Sequence, residues 1–316
     1  MSKKMKASYI AAFGGPDSVT TGELDRPEPG EGEVLVRVKS AGVNPVDSAI
    51  VRGMLKDFIP SEFPLIPGWD VAGVVEARGH AARRFSEGDA VYAYARRPLI
   101  QHGAFAEYIS LPESYLAHSP TNLTTEEAGG IPLAGLTAWQ SLFDAGKVQK
   151  GDTVLILGAS GGVGTFAVQF AKWNGARVIG VASSKNHDYL KELGADDTVD
   201  YKEGHVGEAV EKIVPAGVDM IFDCSRGEAL AQSMDTLIKN GRLVSITNSN
   251  PDRRSDIRFQ YVFVEPNARQ LEQISELADN GELKAPVTKA FRLEEAGKAL
   301  EQVELLHTRG KMVITP

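Results

Sequence analysis

Residues 158–164 read GASGGVG: Gly158, Ala159, Ser160, Gly161, Gly162, Val163 and Gly164. Such a run offers backbone N–H groups to an anion, because glycine lets a phosphate come close to the main chain. In the G-x-G-x-x-G register the glycine positions fall on Ala159, Gly161 and Gly164, so an alanine stands at the first. Gly161 admits the pyrophosphate of a dinucleotide, and Gly164 lets the following helix pack closely on its strand. A tight turn in an α/β domain is the plainer alternative. Context favours the cofactor: a buried strand, residues 153–157 (TVLIL), comes directly before the turn, and an apolar helix, residues 163–174, directly after it.

About 20 residues on, at the end of the next strand, NAD-binding sheets carry an acid that accepts from the ribose 2′-OH. Here the stretch is Ala182, Ser183, Ser184 and Lys185. Two hydroxyls and an ammonium suit a 2′-phosphate, whereas a carboxylate would repel it. Lys185 alone reads as a solvated surface lysine, so the missing acid carries as much of the argument as the lysine. NADP(H) is expected over NAD(H).

These groups need elements to position them. Residues 5–125 read as short strands between turns, with 33–40 (EVLVRVKS) alternating at period two and further strands at 70–77 and 89–94. From about residue 125 the texture changes to helix over 126–143, then strands 153–157, 177–182, 197–200, 220–223 and 242–246. Helices at 163–174, 186–193, 207–214 and 229–238 alternate with them, which predicts parallel pairing through crossover helices. Helices at 267–279 and 293–304 and a strand at 310–314 close the chain. The expected fold is α/β: a Rossmann-type doubly wound sheet, residues 126–264, inserted in a β-rich catalytic domain made of 1–125 and completed by 265–316. Residues 259–264 (FQYVFV) end the cofactor sheet, and an unprotected edge of that kind predicts a homodimer.

Composition removes other classes. At 316 residues the chain has room for two cores, and a formal charge of −8 gives no field to hold nucleic acid or an anionic membrane. Cys224 is the single cysteine, so no internal disulfide and no cysteine-rich zinc lobe can form, and a reducing, cytoplasmic setting suits it. His80, His102, His118, His187, His205 and His307 are too far apart for paired metal ligation on one element. Ser2 stands where myristoylation needs glycine, and no apolar stretch follows the first lysines. The uncharged stretch 153–171 is interrupted by glycines and polar residues, and reads as strand, turn and helix rather than a membrane span.

The chain resembles the zinc-independent quinone oxidoreductases, the zeta-crystallin-like branch of the medium-chain dehydrogenase/reductase superfamily. The resemblance covers nearly the whole length, through AGVNPVD (41–47), PLIPGWDVAGVV (64–75), GDAVYA (88–93), LTAWQSL (136–142), GASGGVG, LGADDTVDY (193–201) and GKMVI (310–314). It implies a GroES-like catalytic domain, a cofactor domain between the two chain ends, and a cleft for the nicotinamide. It also implies that Asn44, Thr137 and Lys311 lie around the nicotinamide and phosphates, that Ser183, Lys185 and Tyr201 surround the adenosine end, and that Cys224, Ile246 and Thr247 sit at strand ends the cofactor crosses. The last three also fit the rule that ligands bind outside the carboxyl ends of parallel strands. Plainer readings stay open: Tyr201 as an edge cap, Thr137 as a helix cap or back-bonded hydroxyl, Cys224 as a small buried apolar residue. In zinc-dependent relatives, ligands occupy the positions of Asn44 and Trp69, with another near Leu133; none of these residue types is a zinc ligand here.

Many quinone reductases of this branch have a tyrosine two residues after the aspartate of N-x-x-D, where this chain has Ala49. Tyr92 and Tyr94 are the candidate substitutes, against a plain packing role on their strand. The expected function is NADPH-dependent hydride transfer to a small electrophilic acceptor, a quinone or an α,β-unsaturated carbonyl compound, with no metal and with Asn44 as the first polar contact to cofactor or substrate. Asn44 serves equally well as support for the turn before Pro45, and Asp47 reads as a structural acceptor rather than a base. The competing class is a non-catalytic NADPH-binding protein with a structural, RNA-associated or redox-sensing role.

Overall fold

The computed structural model describes residues 3–306 and 308–316; Ser2 and His307, named above, lie outside the described residues. The chain forms two compact units. The first comprises Met1–Leu136, Glu265–Gly281 and Ala285–Pro316, and the second Thr137–Val264 with Glu282–Lys284.

In the first unit a seven-stranded sheet is built from both chain ends. Its central strand, Glu33–Val43, pairs antiparallel with Asp70–Arg78, Tyr108–Pro112 and the terminal Lys311–Thr315. The strand that alternates over 33–40 continues, fully buried, to Val43, and Met312 pairs with Val43, which brings Lys311 to the end of the strand beside Asn44. Directly after the strand, Asn44 opens the short helix Pro45–Val51, with proline at its first position where no N–H is needed.

The second unit is a six-stranded parallel sheet: β1 Thr153–Leu157, β2 Arg177–Val181, β3 Asp197–Val199, β4 Val218–Asp223, β5 Leu237–Ser245 and β6 Arg258–Tyr261. Its strand order is β3-β2-β1-β4-β5-β6 and every pairing is parallel. The order reverses direction at β1, so the carboxyl ends of β1 and β4 form the crevice where such sheets take ligands. Val154, Leu155, Ile156 and Leu157 of β1 are fully buried, as a strand covered on both faces must be. The stretch 153–171 is strand, turn and helix, and no helix among the described residues is long and apolar enough to cross a membrane.

Three sequence expectations change. The helical region 126–143 is Thr125–Gly129, then Pro132–Trp139, then a π-helical turn Gln140–Ala145, because Gly129, Gly130 and Pro132 interrupt it. The helix expected over 229–238 stops at Ser233 and passes through a 3-10 turn, Met234–Thr236, into β5. Lys239, Asn240 and Gly241, between the expected helix and the expected strand, form an irregularity inside β5, with Asn240 at φ +59° and a register shift against β4. The edge segment is strand only to Tyr261; Tyr261 and Phe263 are exposed.

Candidate functional site

The second unit holds the phosphate turn. β1 ends at Leu157, Gly158 takes φ +74°, and the helix Gly162–Trp173 starts with Gly161 as its N-cap, without a side-chain cap. No side chain caps the first N–H groups of that helix, which suits an anion. A Cβ on Gly161 would meet only the Gly158 carbonyl oxygen, at 3.3 Å. On Gly164 it would strike that oxygen at 2.4 Å and Ala159 Cα at 2.6 Å, so this glycine serves helix packing. Ala159 is buried, with its N–H bonded to Val181 O, which ties the turn to the end of β2. The cradle left by Gly161 and the bare helix start fit a dinucleotide pyrophosphate.

Beyond β2, Ser183 is buried, Ser184 and Lys185 are exposed, and Ser184–Asn186 form a single 3-10 turn. Tyr201 is half exposed just past β3. Two residues that the sequence did not single out organise this end. Asp200 accepts from Ser184 N–H at 2.7 Å and Lys202 N–H at 2.8 Å. Burial works to raise its carboxyl, but these N–H groups outweigh burial and hold it below the usual value. Asn186 donates from Nδ2 to Ser160 Oγ at 3.1 Å and toward Ser183 Oγ at 3.4 Å. The acid missing from the end of β2 thus has a counterpart at the end of β3, committed to the backbone of the Ser184 turn.

Cys224, Ile246 and Thr247 follow β4 and β5 directly, and the buried Asp223 holds that edge. Its carboxylate accepts from Ser245 Oγ (2.7 Å), Thr247 Oγ1 (2.9 Å), Ser225 N–H (3.1 Å) and Ser225 Oγ (3.0 Å). Cys224 N–H reaches back to Leu157 O of β1. Burial pushes the Cys224 thiol well up, and the neighbouring Asp223 adds to that. Thr137 is buried on the helix Pro132–Trp139.

In the first unit Asn44 is the centre of a buried polar cluster. Its Nδ2 donates to Asp70 Oδ2 at 2.8 Å, and its Oδ1 accepts from Lys311 Nζ, which also donates to Val43 O. Asp47 accepts from Asn44 N–H at 2.8 Å and Trp69 N–H at 3.2 Å, and Asp70 accepts from Leu133 N–H at 2.6 Å. Burial raises both aspartates, Asp47 to about 7, and lowers Lys311. Sequence reading placed Asn44 and Lys311 but missed Asp70, whose only signal was an acid starting an otherwise apolar strand.

Asn44, Trp69 and Leu133, the positions of zinc ligands in zinc-dependent relatives, converge on these two carboxylates. They bring an amide, an indole and an aliphatic chain, with no thiolate or imidazole among them. Among the described residues no group of three or more His, Cys, Asp or Glu side chains is placed to hold a metal ion. Tyr92 and Tyr94 differ sharply although both are buried. Tyr92 donates to Leu271 O at 2.6 Å and accepts from Ser275 Oγ at 2.9 Å, whereas the Tyr94 hydroxyl has no hydrogen-bond partner among the described residues and its ring packs edge-on against Trp69.

Comparison with known proteins agrees with this architecture. The family model of the alcohol dehydrogenase GroES-like domain matches residues 30–121, and that of zinc-binding dehydrogenase matches residues 193–314. Quinone-oxidoreductase QR1, chloroplastic, of Triphysaria versicolor is 32% identical over 332 residues, covering 99% of this chain and 99% of the relative. The NADPH-dependent alkenal/one oxidoreductase, chloroplastic, of Arabidopsis thaliana is 31% identical, covering 99% of this chain and 80% of the relative. A solved NAD-dependent alcohol dehydrogenase superposes with a TM-score of 0.91 at 31% identity, covering 99% of this chain and 100% of that one. The chain belongs to the medium-chain dehydrogenase/reductase superfamily, as a nicotinamide-dependent oxidoreductase of the quinone-oxidoreductase type.

Proposed function

We propose that this protein is an NADPH-dependent reductase that delivers hydride to a quinone or an α,β-unsaturated carbonyl compound without zinc. The observation that carries the cofactor choice is the end of β2. Ser183, Ser184 and Lys185 stand there, and the nearby acid Asp200 spends its carboxylate on backbone N–H groups. The acceptor class rests on two relatives, one named a quinone oxidoreductase and the other an alkenal/one oxidoreductase.

The bound nicotinamide supplies the hydride. The chain binds and orients. The glycine turn with Gly161, Gly162 and Val163 takes the pyrophosphate, Ser160, Ser183, Lys185 and Tyr201 take the adenosine end, and Thr137, Cys224, Ile246 and Thr247 line its path. Asn44, fixed between Lys311 and Asp70, offers a rigid amide to the carboxamide or the acceptor oxygen, and Lys311 acts through it. With Asp47 and Asp70 both held by backbone N–H groups, solvent supplies the proton that completes reduction.

The raised Cys224 thiol counts against a redox-sensing role, since sensor cysteines have lowered pKa values. The charge of −8 counts against an RNA partner. We place the protein in the cytoplasm, which suits a lone thiol, and infer a homodimer through residues 259–264, where Tyr261 and Phe263 are exposed. A monomer in sedimentation at micromolar concentration refutes the dimer. Following NADPH oxidation with a panel of simple quinones and enals tests the function, with turnover expected to survive exhaustive chelation. No oxidation with any of them, or loss of activity with removed zinc, overturns it.

A further inference from the structure

Asn186 is tied to two hydroxyls from different parts of the second unit. Ser160 belongs to the glycine turn after β1, and Ser183 to the end of β2. The two Nδ2 hydrogens of Asn186 reach toward one oxygen each, at 3.1 and 3.4 Å. An amide NH2 only donates, and a serine hydroxyl both donates and accepts. Each serine oxygen that accepts from Asn186 keeps its own proton for another acceptor. Asn186 is itself held in place, since its backbone N–H donates to Ser183 O at 2.9 Å within the turn that Asp200 fixes through Ser184.

The consequence is a directional one. A phosphate dianion consists of acceptors only, so it needs donors in front of it, while a ribose 2′-OH can pair with a donor or an acceptor. We propose that Asn186 is a positioning residue for cofactor discrimination: its amide turns the Ser160 and Ser183 protons outward, toward the 2′-phosphate. Lys185 supplies charge at this end, and Asn186 supplies the direction of the hydroxyl dipoles. This rests on the NADPH reading above and extends it to a residue that touches no cofactor atom itself.

Titration calorimetry of the full chain with 2′,5′-ADP and with 5′-AMP, which differ only in the 2′-phosphate, tests it without turnover. The intact protein is expected to prefer 2′,5′-ADP; equal affinity for the two overturns the NADPH reading itself. Asn186→Asp turns the NH2 donor into an acceptor and adds charge, and should weaken 2′,5′-ADP by about tenfold or more while 5′-AMP stays within about twofold. Because an added carboxylate repels phosphate through charge alone, the neutral Asn186→Ala is the deciding arm. It should weaken 2′,5′-ADP about three- to tenfold and leave 5′-AMP unchanged. If Asn186→Ala loses both nucleotides equally, or neither, the positioning role is wrong although the NADPH reading stands. Ser160→Ala and Ser183→Ala remove the donors one at a time. Each should reproduce the selective loss even if an Asn186 variant does not fold, and unchanged preference in both also overturns the proposal.

Discussion

The Lys311 ammonium lies 3.7 Å from the Asp70 carboxylate, and both side chains are buried. Asn44 bridges them, taking a hydrogen bond from one and giving one to the other. Such a pair contributes little over an apolar replacement, but losing one member leaves the other as an isolated buried charge. Lys311→Met should therefore cost about 3 to 5 kcal/mol of stability. The double variant with Asp70→Asn should be less destabilised than the two single effects added together, by about 1 to 3 kcal/mol. Denaturant midpoints of the four proteins measure this, and strict additivity would show that the two charges do not act as a pair.

Asp47, fully buried, gives the fold a pH dependence of its own. Burial pushes its carboxyl up to about 7, while the Asn44 N–H and, more weakly, Lys311 pull it down and Asp70 adds to the rise. An unfolded aspartate titrates near 3.9, so between about pH 4 and pH 7 the folded state holds a proton that the unfolded state has released. This contribution is full below the unfolded value and falls away as pH rises toward 7, by on the order of a few kcal/mol. Carboxylates held low, such as Glu304 and Asp200, slope the other way. The difference between wild type and Asp47→Asn isolates the effect: wild-type stability should fall relative to the variant from pH 5 to pH 7.5. Parallel pH profiles would rule it out.

Two glycines in one turn should fail differently. Gly164→Ala forces Cβ against the Gly158 oxygen and Ala159 Cα, so the backbone must shift and stability should drop by about 1 to 3 kcal/mol. Gly161→Ala meets a single atom at 3.3 Å and should leave the melting temperature nearly unchanged. It narrows the approach to the backbone instead, and should weaken NADPH binding about tenfold or more. Thermal melting with and without NADPH separates the two outcomes, and equal melting losses would contradict the division of labour.

The alternation of apolar strands and helices carried the second unit because β1, β2 and β4 are buried on both faces and read as apolar runs, as in TVLIL. β5 was legible only from Arg242, since Asn240 and Gly241 imitate a turn while pairing continues around them. The candidate site was legible at Gly161, where the backbone needs space, and at the end of β2, where Ser183 and Lys185 stand in place of an acid. Asp70, Asp200, Asn186 and Asp223 were not, because their roles rest on partners far away in sequence. Asp70 needs Lys311, and Asp200 needs the Ser184 backbone. A polar residue at a strand end looks the same in sequence whether it faces water or holds a loop.

Lys185 is the simplest test of cofactor choice. Lys185→Glu places a carboxylate where a 2′-phosphate is proposed to sit, and should weaken NADPH binding about tenfold or more while NADH binding changes little. Fluorescence titration with both cofactors reads the ratio directly. A uniform loss would mean that Lys185 supports the turn rather than the phosphate.

The hydroxyls of Tyr92 and Tyr94 separate stability from chemistry. Burial pushes both phenols far above their usual range, with Ser275 opposing it at Tyr92 and Arg96 opposing it at Tyr94, so neither acts as an anion. Tyr92→Phe strips partners from Leu271 O and Ser275 Oγ and should cost about 1 to 3 kcal/mol of stability. Tyr94→Phe removes a buried hydroxyl with no hydrogen-bond partner among the described residues and with the Arg96 charge nearby, so stability should stay within about 1 kcal/mol. If the protein works by positioning, both variants keep most of their turnover per folded molecule, because the proton comes from solvent after hydride transfer. Asn44→Ala, which removes an oriented amide, should lower turnover about ten- to a hundredfold. Of the two tyrosines only Tyr94 has an O–H left to give. If Tyr94→Phe abolished turnover while NADPH affinity stayed normal, that proton would be the one the acceptor oxygen needs, and solvent delivery would be wrong.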